Sequence, residues 1–284
     1  MTTKKTIGNA DASKEFLQKN LQLISLLIIF LFTYVPTLLW MWDRWFARDS
    51  YYSHGILIPF ISGFLIWQRR GEWKKIKIES SKMGIPLVIS GITVHLLSSL
   101  FRVYFTSAFS MLLVFVGLIL YFYGTGFLRK NIFPIAFLIF MMPLPEVVVA
   151  NISFKMKIFA AHVAATVLNN MRIPAVQEGS LIKMRNAYVL VEDVCSGLRS
   201  LISLTALGSI FAYWMKGPIY KRILLFLLTI PIAIITNVCR IVFLASVSEI
   251  WGPQYAGGLV HEASGFIVFG LAFVLLFAMG RLIE

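Results

Sequence analysis

Residues 223 to 247 read ILLFLLTIPIAIITNVCRIVFLASV, a run of 25 residues whose only charge is Arg240. About 20 helical residues cover a hydrocarbon core of ~30 Å, so this run is long enough to span a bilayer. Seven further apolar runs accompany it, at 21 to 42, 54 to 67, 84 to 101, 104 to 123, 127 to 144, 196 to 215 and 262 to 282. Composition points the same way. Of 284 residues, 58% are hydrophobic and 14% charged, and the mean hydropathy is +0.81, which excludes one or two soluble globular domains. The sequence predicts an all-α polytopic membrane protein of about eight transmembrane helices. Run 54 to 67 is short enough to be re-entrant or strongly tilted, and Pro134, Pro143 and Pro145 interrupt the run at 127 to 144. The first run lacks a small-residue cleavage pattern, so it is expected to stay as an anchor.

The formal net charge of +13, from 26 Lys and Arg against 13 Asp and Glu, would suit nucleic acid if the cations shared one surface. They fall instead into short clusters between the apolar runs, so the charge reads as a topology signal and no nucleic-acid partner is expected. A cytoplasmic N-terminus keeps Lys4, Lys5, Lys14 and Lys19 inside. It also keeps inside Arg69, Arg70, Lys74, Lys75, Lys77 and Lys82, then Arg129 and Lys130, then Lys216, Lys221, Arg222 and Arg281, together 16 of the 26 basic residues. The positive-inside rule therefore favours an N-in, C-in arrangement. Residues 1 to 20 form a cytoplasmic tail and residues 21 to 282 one membrane domain, with no internal repeat and no further C-terminal domain expected.

The segment 145 to 195 falls on the outer side. Residues 146 to 170 mix Lys155, Lys157 and His162 with apolar positions, as expected of a helix lying in the interface, with a ninth span as the alternative. After Pro174, apolar and polar residues alternate around Glu178-Gly179-Ser180 and Arg185-Asn186, which reads as a short β-hairpin-like loop or meander before the sixth run.

Ionisable residues at membrane segments are costly and mark candidate sites. Cys195 immediately precedes the sixth run. Arg240 lies 17 residues beyond Ile223, a climb of about 25 Å at 1.5 Å per residue, and so reaches the same outer boundary. His261 precedes the eighth run, which descends from that side. A thiol, a guanidinium and an imidazole thus share one depth, although spacing alone does not make them neighbours. A thiolate is a nucleophile, favoured by a helix N-terminus and nearby cations. Ser196-Gly197 suits an N-cap turn that presents amides beside Cys195, and Arg199 is four residues on, on the same helical face. His261 can carry a proton between thiol and leaving amine, and Arg240 can stabilise an oxyanion or the thiolate. Glu192-Asp193 oppose thiol ionisation unless they orient a cation instead.

Plainer readings stand beside these. Cysteine at a helix end is commonly a small buried hydrophobe, and arginine at this depth commonly snorkels to the headgroups. Cys195 and Cys239, the only two cysteines, allow one disulfide, although Cys239 is rotated about 100° from Arg240 on a helix. His54 is a candidate substrate contact or, with Tyr51 and Tyr52, an interfacial anchor. His95 suits a helix-to-helix hydrogen bond. Four histidines with no i, i+3 or i+4 pairing predict no metal site, and no phosphate loop or serine-nucleophile motif indicates a cofactor or other catalytic chemistry.

Three blocks in order, VCSGLRSL at 194 to 201, NVCRI at 237 to 241 and HEASG at 261 to 265, resemble the exosortase family. SHGILIPFISGFLIW at 53 to 67 and FPIAFLIFMMPLPE at 133 to 146 extend the resemblance over roughly residues 21 to 282. The resemblance implies a multipass enzyme of the bacterial inner membrane, a cysteine transpeptidase with its active site facing the periplasm or exterior. By analogy Cys195, Arg240 and His261 form the catalytic set; beside it Arg199, Ser196, Gly197, His54 and Asn237 are candidates for supporting it or binding substrate. The implied partners are exported proteins with a C-terminal PEP-CTERM-like signal, membrane lipid, and an acceptor nucleophile of unknown identity. Related archaeosortases carry arginine at the position of His261, which aligns this chain with the bacterial branch. The loop Glu178-Gly179-Ser180 departs from relatives that have asparagine after the glycine. The alternative classes are a cysteine-independent acyl or glycosyl transferase using His261, a non-enzymatic component of polysaccharide or protein export, and a small transporter. A bilayer midplane almost free of charge argues against an ion-coupled transporter.

Overall fold

The first apolar run does not form one straight helix. In the computed structural model α1 (Leu21–Thr33) and α2 (Val35–Phe46) meet at 60°. Pro36 explains the break, because it lacks an N–H and its ring would clash with the carbonyl of Phe32 four residues back. The structure describes residues 18, 21–48, 50–73, 76, 78–191 and 197–284. It is mostly helical and divides into two compact units, one made of residues up to Arg44 with Phe60–Met142, the other of Trp45–Pro59 with Pro143–Glu284.

In the first unit, α3 (Leu57–Gln68) and the short α4 (Arg70–Trp73) lead to the pair α5 (Gly84–Leu100) and α6 (Tyr104–Lys130). Glycines bring α5 and α6 into backbone contact: a Cβ on Gly84 would lie 2.4 Å from the carbonyl oxygen of Gly117. Small residues at such crossings are what lets helices pack tightly in lipid. Buried hydroxyls complete the interface, with His95 Nδ1 2.9 Å from Ser107 Oγ and Tyr34 Oη 2.9 Å from Ser110 Oγ. The fourth apolar run continues beyond a kink at Gly124 (φ 79°), where a Cβ would stand 1.8 Å from the carbonyl oxygen of Glu79, so only glycine fits. The fifth run then begins within the end of α6 and continues as α7 (Ile132–Phe137) and a 3₁₀ turn (Leu138–Met141), stopped by Pro143 and Pro145.

The second unit contains α8 (Glu146–Asn170), three strands, α9 (Leu198–Trp214), α10 (Ile219–Trp251), the single turn α11 (Pro253–Ala256) and α12 (Gly258–Ile283). Strands β1 (Ala175–Glu178), β2 (Leu181–Met184) and β3 (Tyr188–Leu190) form an antiparallel sheet in sequence order. Glu178 pairs with Leu181 around Gly179-Ser180, where Gly179 takes φ 63°. Asn169 on α8 holds the first strand by two hydrogen bonds to the backbone of Ala175, at 2.8 and 2.9 Å. Glu249 on α10 grips the second turn through the backbone N–H and side-chain amide of Asn186, at 2.9 and 3.1 Å. Ala175, Ile182 and Val191 then pack into a core with Ala160, Ala161, Ala164, Ala165 and Leu168 of α8 and Val238, Ile241 and Ala245 of α10.

Four helices are individually long and apolar enough to cross a membrane: α6, α8, α10 and α12. The bent pair α1 and α2 makes a fifth candidate. The runs at 54 to 67, 84 to 101, 127 to 144 and 196 to 215 become apolar helices of 10–17 residues, namely α3, α5, α7 with its 3₁₀ turn, and α9. Run length overstates helix length wherever a proline or a glycine cap ends the helix inside the apolar stretch, as at Pro143 and Gly197. Conversely α8, which the sequence suggests lies in the interface, has the length of a span at a mean hydropathy of 1.4.

Candidate active site

The starts of α9 and α12, the interior of α10 and one turn of the second unit carry the candidate residues. Cys195 and Ser196, with Glu192 and Asp193, lie outside the described residues, and the description resumes at Gly197, the N-cap of α9. Gly197 takes φ 83°, and a Cβ there would stand 2.7 Å from Cγ of Asn237, so the start of α9 is pressed against α10. Both constraints demand glycine. Asn237 is buried, and Arg240 follows three residues later on the same side of α10.

Arg240 directs its donors to the first two turns of α12. Its Nε donates to Ser264 Oγ at 3.1 Å, and its Nη2 donates to the His261 carbonyl at 3.1 Å and lies 3.4 Å from His261 Nε2. Ser264 Oγ in turn donates to the same carbonyl at 2.7 Å. A guanidinium has only donors, so in this contact His261 Nε2 is the acceptor and the proton of the neutral ring sits on Nδ1. Arg240 and His261, related in the sequence only by depth, are thus direct neighbours. Cys239 is a free thiol on the exposed side of α10.

His54 approaches the other side of α9. Its Nδ1 is 3.3 Å from Ser203 Oγ, while its Nε2 is sealed from solvent without a hydrogen-bond partner. Burial lowers its pKa below the usual imidazole value, which keeps the ring neutral at pH 7. The preceding turn is rigid: a Cβ on Gly55 would strike the Trp45 indole at 2.2 Å, and Tyr52 Oη accepts a hydrogen bond from the Leu144 N–H at 3.1 Å. Burial pushes the Tyr52 phenol up, so it stays protonated. Arg199, in the first turn of α9, has its Nε sealed without an acceptor and makes no ion pair among the described residues.

A groove of about 240 Å³ opens beside Asn237, lined by Lys155, Met156, Phe159 and Ala160 of α8 and Ile234 of α10. His95 and His162 sit elsewhere, hydrogen-bonded to Ser107 and to Gln177 respectively. No group of three or more His, Cys, Asp or Glu side chains comes together among the described residues. Two residues of the arrangement, Ser203 and Ser264, escape sequence reasoning. Ser264 had a usable signal, since it stands one turn beyond His261 in HEASG, whereas Ser203 becomes relevant only once His54 is seen against α9.

The family model described as transmembrane exosortase matches residues 42–278. No curated protein and no solved structure matches the chain.

Proposed function

This chain belongs to the transmembrane exosortase family, and from that premise we propose that it is a membrane-embedded cysteine transpeptidase or protease. In this reading it cleaves the C-terminal sorting signal of exported proteins through a thioacyl intermediate, with Cys195 as nucleophile. The observation that carries the reading is the junction of Gly197, Asn237, Arg240 and His261. Cys195 precedes Gly197 by two residues, a covalent reach of about 7 Å, and Gly197 is packed on the same face of α10 that presents Arg240.

The chemistry follows from the roles each group can fill. Arg240 releases His261 Nε2 as substrate enters and turns to the scissile carbonyl oxygen. His261 takes the Cys195 proton, and the sulfur adds to the carbonyl carbon. Arg240 stabilises the resulting oxyanion. As the tetrahedral intermediate collapses, the carbon–nitrogen bond breaks and the leaving amine takes the proton from His261, which leaves a thioester on Cys195. Water or an acceptor amine then attacks the thioester, His261 accepts its proton, and the thiolate departs. Ser264 holds the His261 turn in register throughout.

For the membrane path we retain eight spans with both termini in the cytoplasm and the site facing outward. The Leu144 bond to Tyr52 and the His54 contact with Ser203 tie the turn after α2, the start of α8 and the first turns of α9 to one level, as the outer-face assignment requires. At 33 residues α10 is about 50 Å long, so it overhangs a ~30 Å core by about 20 Å, and α8 and the sheet cover that overhang. The first half of α8 exposes Val147, Phe154 and Phe159 beside Lys155 and Lys157, a pattern suited to the interface.

The decisive test is Cys195→Ala in cells carrying a tagged exported protein with a C-terminal PEP-CTERM-like tail. Loss of shortening, with a thioester-linked adduct on the Cys195 peptide of the native chain seen by mass spectrometry, is the expected result. Continued shortening in the variant would exclude Cys195 as nucleophile.

A further inference from the structure

The helices that carry the candidate site, α9, α10 and α12, converge again at their other ends, and there they enclose a cavity of about 280 Å³. Its walls are apolar, with Phe211 and Met215 from the end of α9, Leu225 from α10, and Leu276 and Phe277 from α12. Gly280 completes the wall, and a Cβ added there would meet only the Leu225 methyls, at 3.5 and 3.9 Å. Trp214 stands exposed at the rim, a residue type that favours the headgroup level of a bilayer.

The mouth of this cavity is basic. Segments 214 to 225 and 276 to 284 hold Lys216, Lys221, Arg222 and Arg281 against a single carboxylate, Glu284. That carboxylate is engaged. Its Oε1 accepts the Lys216 main-chain N–H at 3.0 Å, its Oε2 lies 3.8 Å from Arg281 Nη1, and the Glu284 carbonyl accepts from Lys221 Nζ at 3.1 Å. Arg281 also lies over the Phe277 ring, 5.3 Å from its centroid, which holds the guanidinium at the cavity edge. Lys216 Nζ and the Arg222 guanidinium make no ion pair among the described residues, and Arg222 Nε is sealed from solvent without a hydrogen-bond partner. Arg222 precedes Leu225 by three residues and so shares the face of α10 that lines the cavity.

We infer that this cavity binds an anionic phospholipid of the surrounding bilayer, with one acyl chain between α9, α10 and α12 and the phosphodiester among the basic residues of the mouth. The inference needs only that the chain is a membrane protein and stands apart from the peptidase reading. Both halves of the ligand find their complement. The wall side chains Phe211, Met215, Leu225, Leu276 and Phe277 offer no hydrogen bond, so a small hydrophilic anion would lose its hydration inside without compensation, whereas an acyl chain would not. Basic pockets between membrane helices hold acidic headgroups, and the surplus of cations over Glu284 favours a net negative headgroup over a zwitterion. Hydrocarbon reaches the cavity along α12, whose Phe273, Val274 and Phe277 are exposed. The positive-inside reading puts this end at the cytoplasmic leaflet, where anionic lipid is concentrated. The groove beside Asn237 makes the contrast, since Lys155 is the only cation in its lining. A lipid seated at the mouth ties together the ends of the same helices that carry Gly197, Arg240 and His261.

The test is lipid retention by the full chain. The protein is purified in detergent, offered equal amounts of phosphatidylglycerol and phosphatidylcholine, and its bound lipid is counted by native mass spectrometry. Phosphatidylglycerol is expected to be retained about 10-fold over phosphatidylcholine. Lys216→Gln combined with Arg222→Gln should cut that preference to below about 3-fold, whereas neutralising Arg129 and Lys130 at the end of α6 should leave it unchanged. Gly280→Leu fills the cavity and keeps every charge, so it should abolish retention. Gly280→Ala, whose Cβ makes only ordinary contact with Leu225, should retain lipid as the native chain does. In nanodiscs the thermal midpoint should rise when phosphatidylglycerol replaces part of the phosphatidylcholine, and Gly280→Leu should remove that rise. Equal retention of the two lipids, or retention that survives Gly280→Leu, would overturn the inference. A preference lost equally on neutralising Arg129 and Lys130 would assign it to the general attraction of a basic chain and overturn the site. Full displacement of the lipid by glycerol phosphate would show that only the anion is held and reject the cavity as the seat of an acyl chain.

Discussion

The α5–α6 pair and the α9–α10–α12 group use the same packing device and opposite polar logic. In both, glycine lets helices touch: Gly84 on Gly117 in the first, Gly197 on Asn237 and Gly208 on Thr229 in the second. Around α5 and α6 the buried polar side chains pair with one another, His95 with Ser107, Ser107 with Thr37, Ser98 with Thr106 and Ser110 with Tyr34. Around α9, Nε of Arg199 and Nε2 of His54 are sealed from solvent without a hydrogen-bond partner, while His54 Nδ1 lies against Ser203 Oγ. A closed network of hydroxyls serves to hold helices together in lipid, whereas the α9 group leaves one guanidinium nitrogen and one imidazole nitrogen without a hydrogen-bond partner.

Breaking the functional side of that contrast should give the largest effect. Arg240→Gln keeps a donor able to reach the His261 carbonyl but removes the charge, so processing of a sorting-signal substrate should fall about 10²- to 10³-fold, in line with the loss of one oxyanion donor. Folded yield from detergent extraction should stay near that of the native chain. A variant that processes normally would show that Arg240 only fastens α10 to α12. Breaking the packing side should give the converse. Gly124→Ala forces a Cβ into the Glu79 carbonyl at a residue with φ 79°, so it should cost at least about 3 kcal/mol of stability and deplete folded protein before any change in specific activity is seen. Normal thermal unfolding of that variant would mean that the kink is not required.

Gly197→Ala sits between these extremes. The added Cβ meets Asn237 at 2.7 Å, at a residue whose φ of 83° disfavours an L side chain, so roughly 1 to 3 kcal/mol of strain falls on the one turn that joins Cys195 to α9. Processing should fall more than about 10-fold with only a small drop in thermal midpoint. Equal losses in both would indicate a general packing defect.

Much of this design can be read from the residues, and what cannot is informative. The helical membrane class follows from the apolar runs, whereas the bend between α1 and α2 falls inside a run that reads as a single span. Helix arithmetic gives Arg240 and His261 a common depth because rise per residue fixes position along an axis. It says nothing about rotation or about which helix is adjacent, so the 3.4 Å contact between them emerges only when α10 and α12 pack. For the same reason His54 reads as an anchor beside two tyrosines, and its burial against Ser203 depends on tertiary structure. The kink at Gly124 was hidden because it depends on Glu79, 45 residues earlier. Run length exceeds helix length where caps cut helices short, and α8, which mixes lysines with apolar positions in the sequence, has the length and hydropathy of a span.

The smallest expected effect tests the open side of the comparison without substrate. Burial lowers the His54 pKa below the value of about 6.5 that the ring has in the unfolded chain. Between the two values the unfolded chain binds the proton and the folded chain does not, so the contribution of this ring to stability is fully present above about pH 6.5 and is lost as pH falls through that range. The sign is the reverse of that for a histidine stabilised by a carboxylate. Thermal unfolding in detergent should therefore show a midpoint that drops by a few degrees between pH 7 and pH 5. His54→Gln, which cannot titrate, should flatten the component due to this ring. An acid-induced drop of the same size in that variant would assign the sensitivity to other groups.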